Sequence, residues 1–279
     1  MQPPTTPIKD CLSYSPINKA HSIVETVFFI QFNKPFSDST KSKLIAIGDD
    51  LKDQLPKSNL INKTAFKFDM SALNNSSVNE IEVVGIELQK TNDDGSLSWM
   101  LRIAEDIISV HCLDYTSWDD VWEKAKFYLN KSREHIGGRD NFISCIGLRY
   151  IDRFCYDGKP NESNLKELFK SNTPYISQTA FDNGPLWHCN SGWFEKPNDD
   201  IKYLNQLNVS ADYLSIDGDN KTLSITIDHN ISAIVEQHDD NKHQDLTSFM
   251  NNLHDKNKQL LAQLLTDKII NQINLSLPD

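Results

Sequence analysis

Two arginines four residues apart, Arg149 and Arg153, are the sharpest candidates for chemistry in this chain. They stand in Phe142-Ile-Ser-Cys-Ile-Gly-Leu-Arg-Tyr-Ile-Asp-Arg-Phe-Cys-Tyr156, whose apolar and β-branched residues predict one long central strand. Side chains alternate across a strand, so Cys145, Gly147, Arg149, Ile151, Arg153 and Cys155 share one face. Phe142, Ile146, Leu148, Tyr150, Phe154 and Tyr156 share the other, which suits a core covered by helices. Two guanidinium groups on an otherwise small or apolar surface can clamp a phosphate or carboxylate, each offering a fixed bidentate fork. The same arginines can instead be paired with Asp152 and other nearby acids. Gly147 leaves room for a ligand beside them and is where so long a strand is expected to bend.

Trp187, His188 and Trp193 are the candidate partner-binding residues. They fall in the least regular stretch, 172–200, which carries Pro174, Pro185, Pro197, Gly184 and Gly192. Long irregular segments in compact domains are often lids or partner surfaces, and tryptophan anchors interfaces. The alternative is a strand from Leu186 to Phe194 between two loops. His188 and Cys189 look like a base and a nucleophile, but neighbours in a strand point to opposite faces and do not meet. His229, His238, Asp239, Asp240 and His243 form the one metal-like group. A run so rich in Asp and Asn reads as a solvated turn, so neither metal nor cofactor is expected. The sequence has no glycine-rich phosphate loop, no Gly-x-Ser-x-Gly and no His-Glu-x-x-His, and no catalytic residue is assigned.

A net charge of -11, from 39 acids against 28 Lys and Arg, disfavours binding to nucleic-acid backbones or anionic membranes, which need a basic field. No apolar run reaches the roughly 18 residues of a membrane helix, and no signal peptide is evident, so a cytoplasmic protein is expected. Cys11, Cys112, Cys145, Cys155 and Cys189 are scattered without a Cys-x-x-Cys spacing and read as reduced structural thiols.

The elements that must position these residues follow from periodicity. Residues 1–21, with Pro3, Pro4, Pro7 and Pro16, form an extended lead-in. A strand from Ile23 to Phe32 turns Val24, Thr26, Phe28, Ile30 and Phe32 to a core. Ser37 or Asp38 caps a helix to about Leu55, stopped by Pro56. Strands are predicted at Ala65–Met70, Ile81–Gln89, Leu97–Ile103 and Ile107–Leu113, the last three as an antiparallel meander. Thr116-Ser117-Trp118-Asp119 starts a helix with the stripe Trp118, Val121, Trp122, Ala125 and Leu129, ending near Gly137 and Gly138. A short helix at Ser163–Ser171 and a hairpin of 201–216 with 222–235 around Asp217-Gly218-Asp219-Asn220 come next. The last helix runs from Asp245 or Thr247 to about Leu275, with the stripe Leu246, Phe249, Leu253, Leu260, Leu264 and Ile269.

Strand, helix, several strands, helix occurs twice, giving halves at 22–138 and 139–279, the second with 172–200 as an irregular insertion. The fold class is therefore α+β: a curved antiparallel sheet with helices on one face. Its order resembles the saddle of the TATA-binding-protein type, in which the first strands of two halves pair at the centre. A single helix-grip fold is the alternative.

Three segments, Ser22–Phe32, Ile146-Gly-Leu-Arg-Tyr-Ile-Asp-Arg-Phe154 and Leu253–Lys268, resemble a sporadically distributed family of uncharacterised bacterial proteins of about this length. The family offers no catalytic residues to carry over. Patchy distribution is common among mobile defence and toxin-antitoxin loci. The expected function is a non-catalytic binding or regulatory protein, antitoxin-like or accessory to a defence locus, with a protein partner held by the 172–200 region. The alternative is an enzyme or sensor for a small anionic, nucleotide-like ligand held by Arg149 and Arg153 on the concave face of the sheet.

Overall fold

The protein's structure, a computed structural model, describes residues 13–67, 78–136, 141–198, 201–217, 220–235 and 245–277. The chain runs β1 (Tyr14–Pro16), β2 (Ile23–Phe32), α1 (Asp38–Lys41), α2 (Leu44–Leu51), β3 (Lys57–Lys67), β4 (Val78–Thr91), β5 (Leu97–Ala104), β6 (Ile107–Cys112) and α3 (Trp118–Ile136). It continues with β7 (Ile143–Tyr156), α4 (Gln178–Asp182), β8 (Trp187–Glu195), β9 (Ile201–Asp217), β10 (Asn220–Val235), α5 (Leu246–Leu264) and α6 (Asp267–Gln272).

Among the described residues ten strands make one open antiparallel sheet in the order β3-β4-β5-β6-β2-β7-β10-β9-β8, with β1 against the end of β7. The predicted strand of Arg149 thus lies at the centre, paired with β2 through Thr26↔Tyr150, Phe28↔Leu148 and Ile30↔Ile146. The order is symmetric about this pair: β6 flanks β2 as β10 flanks β7. Even-numbered residues from Thr26 to Phe32 and from Ile146 to Tyr156 face the helices, and beyond the register shifts Ile23 and Ile143 join the same core. Phe28, Ile30, Leu148 and Tyr150 meet α2, α3 and the first half of α5 in one core. Phe154 meets β9, β10, α6 and the second half of α5 in the other. The class is α+β, a curved antiparallel sheet with its helices on one face. Among the described residues no helix is long and apolar enough to cross a membrane.

Several boundaries differ from the sequence reading for identifiable reasons. The lead-in holds a strand, because Tyr14 is fully buried and packs its ring, tilted, against Tyr156 at 5.0 Å. The third strand begins at Lys57, immediately after the helix-stopping Pro56, rather than at Ala65. The last helix is two helices: Leu265 leaves helical geometry to bridge Phe169, and Thr266 N–H donates to the Leu168 carbonyl. Met250, not Phe249, completes the buried stripe of α5. Residues 160–162 and 165–167 form 3-10 turns in place of the expected short helix. The 172–200 stretch is not irregular throughout, since it contains α4 and β8. Phe142 lies just outside β7 and is 37% exposed. Met70, Gly137, Gly138, Gly218 and Asp219 lie outside the described residues.

Gly85 is where β4 and β5 approach most closely. A Cβ there would sit 2.3 Å from the Ile103 carbonyl oxygen, a backbone atom that moves only if the strands part. Gly85→Ala is expected to destabilise by about 1–3 kcal/mol, the usual range for overpacking. A urea melt checks this, and an unchanged midpoint would contradict the close strand approach.

Candidate functional site

The helix-free face of the sheet carries a groove of about 520 Å³ spanning β3 to β7, with Asn230 of β10 at one margin. Val27, Phe29, Ile61, Val84, Ala104 and Ile107 supply apolar surface, and Arg102, Glu105, Ser109, His111, Arg149 and Asn230 supply the polar groups. A concave apolar patch with a few convergent polar groups is the usual form of a ligand site. Phe29 stands directly opposite Gly147, and a Cβ on Gly147 would meet the ring at 1.9 Å. The glycine therefore seats an aromatic ring against the backbone. The room that the sequence assigned to a ligand beside Arg149 is taken by Phe29.

Arg149 and Arg153 share the open face as alternation predicted, but they do not converge. Arg149 Nε and Nη2 each donate to one carboxylate oxygen of Asp228 at 2.7 Å, which takes up the bidentate fork. The Arg149 side chain remains 42% exposed. Arg153 Nε donates to Thr226 Oγ1 at 3.3 Å, and Arg153 does not line the groove. Asp152 is not the partner of either arginine. It faces the helices, is buried and accepts from Ser22 Oγ at 2.7 Å. Burial pushes its carboxyl up from 3.8 to about 6. The second arginine of the groove is Arg102 on β5, bonded to Glu87 at 3.2 Å and 46% exposed. Three strand spacings, about 14 Å, separate β5 from β7.

The groove also contains an arrangement absent from the sequence reading. Ser109 and His111 alternate on β6, and Val27↔His111 pairing brings Glu25 of β2 alongside. His111 Nδ1 lies 2.7 Å from Glu25 Oε1, and Nε2 lies 3.1 Å from Ser109 Oγ. A carboxylate only accepts, so Nδ1 carries a proton, and in the neutral imidazole Nε2 takes the hydroxyl hydrogen of Ser109. Arg102 stands directly opposite Ser109 on the neighbouring strand. The Ser-Val-His spacing at 109–111, inside a correctly predicted strand, was the available signal. The contribution of Glu25 depends on the β2–β6 register and has no local trace.

Trp187, His188 and Trp193 lie on β8, an edge of the sheet, and divide between its faces. His188 is exposed on the open face, while Trp187 and Trp193 pack against the second core. Trp193 Nε1 donates to Glu195 Oε1 at 3.2 Å, and its ring stacks over His229. Cys189 also points to the helix side, with Sγ 3.6 Å from the Tyr175 carbonyl, so it does not meet His188. Asn190, Gly192 and Phe194 complete the outward row with His188, and Phe194 is 62% exposed. Leu186, just before the strand, is 51% exposed. The β8 register with β9 runs unbroken from Trp187↔Ala211 to Glu195↔Tyr203. Among the described residues no strand pairs with the other side of β8.

His229 is buried beneath α5, with its ring nitrogens 2.8 Å from Asn257 Oδ1 and 3.2 Å from Asn205 Oδ1. Burial lowers its pKa. The other four residues of the metal-like group, His238, Asp239, Asp240 and His243, lie outside the described residues. Among the described residues no cluster of three His, Cys, Asp or Glu is placed to hold a metal ion. Burial pushes the Cys112 and Cys145 thiols up to about 12 and about 11, which makes them poor nucleophiles. Cys112, Cys145, Cys155 and Cys189 are free thiols, and Cys11 lies outside the described residues. No family model matches the chain, and no curated protein matches it.

Proposed function

We propose that this is a binding and regulatory protein that engages a protein partner along the outer edge of β8, the partner adding an extended segment to the sheet. The observation that carries this reading is the contrast between the two sheet edges. An exposed edge is a template for another strand, and lysines and bulges are common ways of blunting it. β3 has such features, with Lys57 and Lys63 in the strand and a register shift between Ile61 and Asn62. β8 reads Trp-His-Cys-Asn-Ser-Gly-Trp-Phe-Glu, nine residues in which only the terminal Glu195 is an acid or a strong base. The Glu195 carboxylate is itself bonded to Trp193, Asn205 and Lys256. Main-chain bonds of an added strand would supply affinity, with Leu186 and Phe194 as apolar contacts at its two ends. We place this role in a bacterial defence or conflict locus as an expectation drawn only from the family resemblance in the sequence.

Asn190 is the exposed centre of the strand, and Asn190→Lys puts a charge there without touching the core. The variant is expected to melt within a few degrees of wild type and to bind the co-purifying partner at least about tenfold more weakly, equivalent to about 1.4 kcal/mol. Unchanged affinity would contradict the edge as the contact.

A second reading, a small anionic ligand in the groove, is favoured by one observation: Arg102 and Arg149 both line it and both keep a large part of their surface open. An anion must compete there with Glu87 and Asp228. An apolar body with one carboxylate or ester group suits the groove better than a polyphosphate.

A further inference from the structure

We infer that the groove is a hydrolytic site for small carboxylic esters with a short apolar acyl group, with Ser109 as nucleophile and His111 as general base. The inference rests on the reading of the groove as a ligand site. Its distinguishing observation is the chain Ser109 Oγ, His111 Nε2, His111 Nδ1, Glu25 Oε1, with separations of 3.1 and 2.7 Å. A hydroxyl within reach of an imidazole that a third group orients is the general signature of an activated nucleophile. Glu25 is a positioning residue: it fixes the tautomer and stabilises the imidazolium that forms. Ser109 and His111 both line the groove, so the chain of contacts opens onto the apolar surface formed by Val27, Phe29 and Ile107.

The reaction proceeds in two balanced steps. Ser109 Oγ attacks the ester carbonyl carbon while its proton passes to His111 Nε2. The carbon–oxygen bond to the alcohol breaks, and His111 returns the proton to the leaving oxygen, which leaves an acyl group on Ser109. Water then attacks that acyl carbon, giving a proton to His111. The bond to Oγ breaks, Ser109 is reprotonated and the carboxylic acid departs. The net change is ester plus water to acid plus alcohol.

The substrate class follows from how the developing oxyanion would be held. β6 is paired on both sides, with β5 and β2, so its backbone N–H groups are committed to the sheet ladders. Arg102, whose Cβ in a directly opposed pair stands about 5 Å from that of Ser109, would supply the donor on leaving Glu87, to which its Nη1 is bonded at 3.2 Å. One side-chain cation in place of two fixed backbone donors suits an ester, whose leaving group departs more readily than the amine of an amide.

A fluorophosphonate probe and 4-nitrophenyl butyrate test this on the full chain, with 4-phenylbutyrate as a non-reacting groove ligand. One phosphonyl group is expected on Ser109, located by peptide mass. Ser109→Ala and His111→Gln are each expected to lose at least about a hundredfold in kcat/KM. Glu25→Gln is expected to lower kcat with KM little changed. A merely structural Glu25 would instead move KM and Tm together with kcat. If Ser109 stays unlabelled and the ester intact while 4-phenylbutyrate still raises the Tm of wild type and Ser109→Ala, the hydrolytic inference is overturned and the groove reading stands. If 4-phenylbutyrate also fails to stabilise, both are overturned.

Discussion

A chain cut before Leu260 is expected not to fold. The deletion removes Leu260, Leu261, Leu264, Leu265 and Ile269, none more than 5% exposed. Each such side chain contributes roughly 1.5–3 kcal/mol on burial, so together they amount to about 8–15 kcal/mol against a typical total stability of about 5–15. The deletion also takes the Leu264 carbonyl from Lys170 N–H and Thr266 N–H from the Leu168 carbonyl, which fix the 165–170 turn beneath the second core. Circular dichroism on the shortened chain is the check. A soluble product with a cooperative melt would mean that the end of α5 is an appendage.

Asp152→Asn is expected to stabilise the protein at neutral pH and to lose that advantage in acid. Asp152 rises from 3.8 in an exposed setting to about 6 in the fold, because burial penalises its charge. A raised folded pKa contributes stability that is fully present below 3.8 and is lost as pH climbs through about 6. That gap corresponds to about 3 kcal/mol. His254 works in the opposite sense: burial, then the charge of Lys258, lowers it from 6.5 to about 4. Its contribution is present above 6.5 and is lost as pH falls through about 4. The two effects oppose each other between about 4 and 6, so wild type should show a shallow pH dependence there. The Asn variant keeps only the histidine's effect. Its Tm should exceed wild type at pH 7.5 and converge with it near pH 4, where the carboxyl is protonated and Asn mimics it. A variant less stable than wild type at pH 7.5 would show that Asp152 is stabilised as an anion.

The central pair of strands was legible because alternation is a local property. Phe28, Ile30, Leu148 and Tyr150 are apolar every second residue, and all are buried where predicted. The stripe of α3 was legible for the same reason, with Ser117 Oγ capping the Asp120 N–H at 3.3 Å. Partners across strands were not. Alternation places Arg149 on the open face but cannot tell that Asp228, 79 positions away, lies within 2.7 Å. It also cannot tell that Phe29 fills the space over Gly147. The break at Leu265 was hidden because helical periodicity continues through it, while the cause, the bridge to Phe169, is a tertiary contact. Of the site, the sequence offered the face and one arginine. Arg102, Ser109, His111 and Glu25 come together only through the register of β2, β5 and β6.

Photo-crosslinking in the native cell tests the partner-binding edge most directly. A photoreactive phenylalanine derivative is placed at Asn190, in the outward row of β8, and separately at Phe127, which is 39% exposed on α3. Covalent adducts with a discrete protein from position 190, and none from position 127, are the predicted result. Adducts from position 127 with none from position 190 would contradict β8 as the partner edge.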